Sequence, residues 1–508
     1  MSQPSLFSSR VSRAAVLVLL FATAFAIRLY DLTDPPLDFH PTRQLLSAMK
    51  ARAFYYETQP DGISTEQLER GIYLARLKAT VEPVVFERLA AFTYRFTGEQ
   101  LWVARVYSSL FWLIGGLFLF LLMREFTSFD GAIVSTAYYL FFPYAIIASR
   151  SFQPDILMVA LIVSFWWMLA RWLALIPGPS PTGRRGWVEV LLAGLLGGLA
   201  IFIKFSAAFF VIGPALALVL SRSSFRDLLR NAQIWMMAIV GAVPALAYLV
   251  YGIFIEGNLG GQFAGRFIPS LLLNPLNYLQ WAVKADLAAG GIFVALGLLG
   301  LFLIDKGPLR SLMAGLWISY LAYSLFFDYH VATHDYYHLP LIAIVAVSLS
   351  PLGSGFLARL AESTLQGARR SVVYLILLFG LFIHVWGVRN QMKDVDYRPQ
   401  AAMFSSLGET LRAEKIVALT QDYGARLEYW GLISTFTWPY IGDETYVNAR
   451  GGEISFDDLF AEQSSKKDFF LITDFEEFNR QPLLRERLTV YPVYMQGDGF
   501  VIYDLRDP

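Results

Sequence analysis

The chain has no cysteine in 508 residues, which excludes disulfides, thiolate zinc sites and a cysteine nucleophile. It is also poor in charge. Only 16% of its residues are Asp, Glu, Lys or Arg, against about 25% in an ordinary soluble domain, so disorder, coiled coils and a plain soluble enzyme are excluded. Neither sign is in excess: 41 basic residues face 41 acidic ones, which gives no electrostatic case for nucleic acid or an acidic polymer as partner. Nucleotide signatures are missing as well, with no GxxxxGK[ST] and no GxGxxG on a strand-to-helix turn. No cytoplasmic stretch is long enough to hold a nucleotide, so an activated group must come from a membrane-resident donor or a gradient. Internal repeats and low-complexity segments are also lacking.

What the chain has is apolar length: 56% of its residues are hydrophobic and 16% aromatic. A spanning helix needs about 20 mostly apolar residues, and runs of that kind fall at 14–30, 106–123, 131–148, 156–175, 187–203, 206–221, 232–255, 288–304, 311–327, 337–352 and 371–388. The stretch 187–221 would be about 52 Å long as one helix, well beyond a bilayer core of about 30 Å, so it must turn near Lys204. The first run reads as an uncleaved span, because Arg28 to Tyr30 continue directly into DLTDPPLDFH. Eleven spans put the two ends on opposite sides. Arg10, Arg13, Arg184, Arg185, Arg222, Arg310 and Arg359 gather on the side of the N-terminus, while the short loops opposite hold only Arg150, Lys204, Arg266 and Lys284. The positive-inside rule then makes the N-terminus cytoplasmic and places the 31–105 loop and everything after 389 outside.

The tail reads as a small soluble α/β or α+β domain at 390–508, with strand-length runs KIVALT, DFFLITDF and GFVIYDL. Its 12 basic and 20 acidic residues leave 29 and 21 to the preceding part, so the neutrality of the whole is a cancellation. Residues 1–389 form the membrane domain. Within it, LLSAMKARAFYYE and VVFERLAAFTYRF in the long first loop have the spacing of helices lying along the membrane surface.

Ionisable residues at membrane boundaries are costly and point to function. Five clusters lie on the outer side. In DLTDPPLDFHPTRQ, prolines fix the backbone around Asp38, a carboxylate suited to accept a proton from an attacking hydroxyl, with Arg43 near to meet an anion; the bland alternative is a solvated loop that caps the next helix. In VEPVVFERL, Glu82 precedes Pro83, either as a site residue or as an acid favouring a helix start. In SRSFQPD, Arg150 and Asp155 bracket a turn and make either a structural ion pair or a substrate contact. Lys204 in IFIKFSA is the one charge between Glu189 and Arg222; it either snorkels or holds a phosphate. DYHVATHDYYHLPL spaces His330, His334 and His338 by four, a metal pattern on a continuous helix, but Pro340 limits that helix and hydrogen bonding by His334 and Tyr337 is preferred.

In this order, the motifs PPLDFHPTRQ, VEPVVFERLAAFTYRFTGEQLWVARVYS, RSFQPD, GGLAIFIKFSAA and HDYYHLPL resemble the GT-C superfamily of integral-membrane glycosyltransferases. The branch they are most similar to contains the protein O-mannosyltransferases and the lipid A aminoarabinose transferases. The resemblance covers roughly residues 10–350 and implies a polytopic helical fold, a polyprenyl-phosphate-linked sugar donor and an extracytoplasmic protein, lipid or glycan acceptor. Carried over by position, it makes Asp38 the catalytic carboxylate, Glu82 and Asp155 further acidic site residues, and Lys204 a neighbour of the lipid phosphate, with His334 and Tyr337 in the late-loop motif. Many members carry a second acidic residue after the first-loop aspartate. Here Phe39 and His40 follow, so His40 is a candidate to share the base role. A divalent cation is implied only if Asp38, Glu82 and Asp155 converge. The competing class is a transporter or flippase of lipid-linked sugars, which calls for polar residues on both faces and paired broken helices.

Overall fold

A computed structural model of the chain describes residues 5–7, 9–174, 186–255, 257, 259, 266–362, 367–412 and 414–506. Arg184 and Arg185, used above for orientation, lie outside these residues, as does much of the glycine-rich segment after 257. Two compact units emerge. The first comprises Met1–Leu32, Thr80–Pro83 and Ala104–Asp394; the second comprises Thr33–Ala79, Val84–Val103 and Val395–Pro508.

In the first unit, every apolar run read from the sequence is helical over most of its length. By length and composition, five helices among the described residues suffice to cross a membrane: Arg10–Arg28, Trp102–Phe126, Pro154–Ala174, Ala232–Ile255 and Asp335–Ala361. A sixth is added if Pro275–Ala289 and Gly291–Leu303, bent by 92°, count as one. Several of the other runs are shorter because the chain is punctuated. Pro143 divides 131–148 into Phe129–Phe141 and Pro143–Ala148, and Phe142 before it is extended, at φ −57° and ψ 130°, as a residue before proline prefers. Gly290, at φ +73°, carries the sharp bend. Thirteen-residue helices such as Gly291–Leu303 rise only about 20 Å.

Small residues set the closest approach. A Cβ on Gly198 would lie 2.6 Å from the carbonyl oxygen and 2.7 Å from the Cα of Gly241, so the helices Trp187–Ile203 and Ala232–Val250 touch backbone to backbone.

The second unit holds a five-stranded sheet made by Ile416–Leu419 (β1), Phe436–Thr437 (β2), Phe469–Ile472 (β3), Val493–Gly497 (β4) and Phe500–Asp504 (β5). The order is β2-β1-β3-β5-β4. β1 pairs in parallel with β2 and β3, while β5 runs antiparallel to β3 and to β4. β1 and β3 are buried along their whole length, which explains why they read as continuous apolar runs. Ile416, Ala418, Phe469 and Leu471 pack on one face against Phe404 and Leu427, whereas Val417, Leu419, Phe470 and Ile472 pack on the other against Trp438 and Phe460. The result is a sheet with helices on both sides.

The rest of this unit comes from the first loop. Helix Pro41–Tyr56 packs against both Thr65–Arg76 and Val85–Thr97. Buried polar contacts tie these helices to the tail: Arg52 pairs with Glu99 at 2.7 Å and donates to the carbonyl of Tyr429, and Lys78 meets Glu428 at 2.7 Å.

Candidate active site

The helix Trp187–Ile203 stops at Lys204, which turns extended (φ −152°, ψ 118°) before the chain re-enters helix at Ala208–Leu220. That break frees the ammonium to reach Asp155 in the first turn of Pro154–Ala174. Lys204 Nζ lies 2.8 Å from Asp155 Oδ1, and the two side chains are only 8% and 3% exposed. The ammonium also lies 5.0 Å and 5.3 Å from the ring centres of Tyr337 and Tyr336, within cation–π range. An ammonium has three donors; one goes to Asp155, and donors remain for an anion. The other carboxylate oxygen of Asp155 is buried without a hydrogen-bond partner among the described residues.

Lys204 stands on the wall of a cavity of about 540 Å³, together with Glu82, Arg266 and Tyr337, the remainder being mostly apolar side chains such as Phe209 and Phe326. The segment carrying Glu82 is held by Tyr248, whose hydroxyl donates to the carbonyl of Val81 at 3.3 Å. The site thus combines two cations, a carboxylate and an apolar chamber, the chemistry that suits a phosphate joined to a long hydrocarbon. Arg266 was passed over in the sequence because it sits in a glycine-rich loop without a pattern of its own.

The histidine cluster does not share one helical face. Helix Asp328–Thr333 ends at His334 (φ −121°, ψ 107°), and a tight 3₁₀ turn, Asp335–His338, follows. His338 is buried, with Nε2 2.8 Å from the carbonyl of Val331 and Nδ1 2.7 Å from the hydroxyl of Tyr320. A carbonyl only accepts, so Nε2 carries the proton and Nδ1 accepts from Tyr320. His334 Nδ1 lies 2.7 Å from Thr333 Oγ1. Burial, then the charges of His334, Arg266 and Lys204, push His330 down to about 3. Tyr144 donates to Asp335 at 3.0 Å, a pair that no sequence spacing announces. Among the described residues, no three His, Asp or Glu side chains come together as metal ligands.

Arg150 is 2% exposed and donates to the carbonyls of Tyr30 and Asp31 at 2.7 Å and 3.1 Å, holding the exit of the first helix.

Asp38 and Arg43 belong to the second unit. Gln44, 1% exposed, reaches back from helix Pro41–Tyr56 and donates to the carbonyls of Pro36, at 3.1 Å, and Phe39, pinning the loop that presents Asp38. Asp38 itself is half-buried. His40 caps the helix in the left-handed region at φ 44°, and Arg43 is in its first turn. Residues of the tail complete the surroundings. Burial first, and then the carboxylates of Asp38, Asp34 and Asp422, push the Tyr397 phenol up, against the opposing charge of Arg426. Asp34 is occupied structurally, accepting from the backbone N–H of Tyr397 at 3.0 Å and facing Arg398 at 3.4 Å. Neither Tyr397 nor Arg426 carried a sequence signal.

Residues 81–251 match the family model described as dolichyl-phosphate-mannose-protein mannosyltransferase. No curated protein matches the sequence significantly. Among solved structures, ArnT from Cupriavidus metallidurans in the apo state is similar at a TM-score of 0.56 and 15% identity, over 97% of this chain and 98% of that one. The same protein bound to undecaprenyl phosphate gives 0.54 and 14%, with the same coverage. The archaeal oligosaccharyltransferase AglB from Archaeoglobus fulgidus, in complex with an inhibitory peptide and a dolichol-phosphate, gives 0.57 and 12% over 98% of this chain and 74% of that one. Together with the long apolar helices, these likenesses make the chain an integral membrane protein. By fold, over nearly its whole length, it is similar to ArnT and to the oligosaccharyltransferase AglB.

Proposed function

We propose that the protein transfers a sugar from a polyprenyl-phosphate donor to an acceptor on the extracytoplasmic side of the membrane. The observation that carries this reading is the buried Lys204–Asp155 pair on the wall of an apolar chamber that also presents Arg266, Glu82 and Tyr337. Lys204 and Arg266 neutralise the leaving phosphate as the glycosidic C–O bond breaks, the chamber takes the hydrocarbon, and Asp38 deprotonates the attacking acceptor. With one displacement and no enzyme nucleophile, the anomeric centre inverts. Tyr337 lines the donor chamber with His334 three residues before it, Arg43 meets an anion near Asp38, and Arg150 steadies the exit of the first helix. In the same reading the chain crosses the membrane about eleven times with a cytoplasmic N-terminus, residues 1–389 form the transferase domain, and residues 390–508 lie outside. Undecaprenyl phosphate and dolichol-phosphate in the solved relatives support the donor class.

Purified protein supplied with a radiolabelled polyprenyl-phosphate sugar should release polyprenyl phosphate only when acceptor is added, and Asp38→Asn should abolish release with the unfolding midpoint unchanged. Wild-type turnover in that variant would remove Asp38 from the chemistry. Movement of the lipid-linked sugar across the bilayer without bond cleavage would establish the flippase instead.

A further inference from the structure

The helix Val85–Thr97 buries Phe86, Ala90, Ala91 and Tyr94 and turns a second apolar stripe outward. Val85, Phe92 and Phe96 are 42%, 55% and 76% exposed, and Arg88 and Arg95 are exposed on the same side, at the i, i+3, i+7, i+10 and i+11 positions that one helical face collects. Beside this face is a cavity of about 330 Å³ lined by Phe54, Glu57, Thr58, Arg88 and Arg95. The Arg88 guanidinium lies 4.2 Å over the Phe54 ring. Glu57 in its wall is shared with Arg76 at 3.5 Å, and neither Arg88 nor Arg95 forms an ion pair with an acid among the described residues. The cavity therefore carries positive charge beside a hydrophobic ridge.

We propose that this cavity and ridge bind the headgroup of an anionic lipid. Guanidinium forks match a phosphate diester, and two phenyl rings on the same face belong in the acyl boundary beneath it, the division of labour found in interfacial helices. A soluble anion would use the arginines and leave Phe92 and Phe96 in water. The covalent chain favours a lipid: the helix ends at Thr97, and four residues, spanning at most about 14 Å, separate it from Trp102–Phe126, one of the helices able to cross a membrane. The site is distinct from the donor chamber and does not depend on the transfer reaction.

The test uses the full chain in mixed micelles holding phosphatidylglycerol and phosphatidylcholine, with retained lipid counted by native mass spectrometry. Wild type should retain phosphatidylglycerol preferentially, and Arg88→Gln/Arg95→Gln should weaken that retention at least about tenfold, as the loss of even one of the two charge-assisted contacts would, while Arg70→Gln should not. In nanodiscs, hydrogen exchange over 85–97 should slow when phosphatidylglycerol replaces phosphatidylcholine. Should the double arginine variant fail to fold, Phe92→Ser/Phe96→Ser keeps both charges and should lose the exchange protection. Equal phosphatidylglycerol retention by wild type and the arginine variant, or unchanged protection in the phenylalanine variant, overturns the proposal. So does binding of inorganic phosphate in lipid-free detergent with the same dependence on Arg88 and Arg95, which would mark a soluble-anion site.

Discussion

An ammonium and a carboxylate 2.8 Å apart and both under a tenth exposed stabilise one another chiefly by sparing each other an unpaired burial. Lys204→Met should therefore destabilise the purified protein by about 3–5 kcal/mol and abolish donor binding, whereas adding Asp155→Asn should recover most of the stability and none of the binding. Chemical denaturation and donor titration on the three variants read the two effects apart. A second consequence concerns acid. His330 is held near 3, below the ordinary 6.5, so the fold takes it neutral. Its contribution is fully present above about pH 6.5 and is lost as pH falls from there toward 3, with a slope of up to about 1.4 kcal/mol per unit. Melting curves between pH 7 and pH 4, conditions set by the ordinary histidine value, should show this slope in wild type and a shallower one in His330→Asn; equal slopes would exclude the residue. At this scale the sequence identified Lys204 and Asp155 separately, the first as an isolated charge and the second as a partner of Arg150 across a turn. Their pairing was hidden, because they stand 49 positions apart and no spacing rule links the tips of two different hairpins. Arg266, Tyr397 and Arg426 had no local pattern and became visible only through their neighbours.

Among elements, the helices were legible wherever apolar length alone decided. The turn at Lys204 followed from a run too long for one span, and the fully buried strands β1 and β3 followed from unbroken apolar stretches bounded by charge. The two-residue β2 and the exposed β4 escaped notice, since neither has a hydrophobic pattern of its own. Breaks at Pro143 and Gly290 shortened helices that composition had drawn as continuous. The contact between Trp187–Ile203 and Ala232–Val250 rests on missing side chains, which gives a direct test. Gly198→Val drives a branched side chain into the Gly241 backbone and should cost about 1–3 kcal/mol or abolish folded yield. Gly355→Ala, with nothing within 4 Å of the new methyl, should be silent. Detergent-solubilised melting temperatures compare the two.

For the whole molecule, orientation is the most exposed expectation. Because the natural chain has no cysteine, single cysteines can be introduced without removing any. A membrane-impermeant maleimide applied to intact cells should label Asp498→Cys and spare Arg10→Cys; the reverse pattern would invert the topology and move the proposed transfer to the cytoplasm.

The second unit is assembled from three separated stretches, 33–79, 84–103 and 395–508; polar ties join the first to the last through Arg52, Lys78 and Asp34, and the second to the last through Glu99, which accepts from the Tyr429 hydroxyl. A chain made from its N-terminus completes the early stretches long before their partners exist, since 104–394 must be synthesised first. Until then, Arg52 and Lys78 lack Tyr429 and Glu428, and the Asp38 loop lacks Tyr397 and Arg426. Maturation of the carboxylate's surroundings is thereby deferred until 395–508 has been made, so a chain stopped before it cannot present them complete.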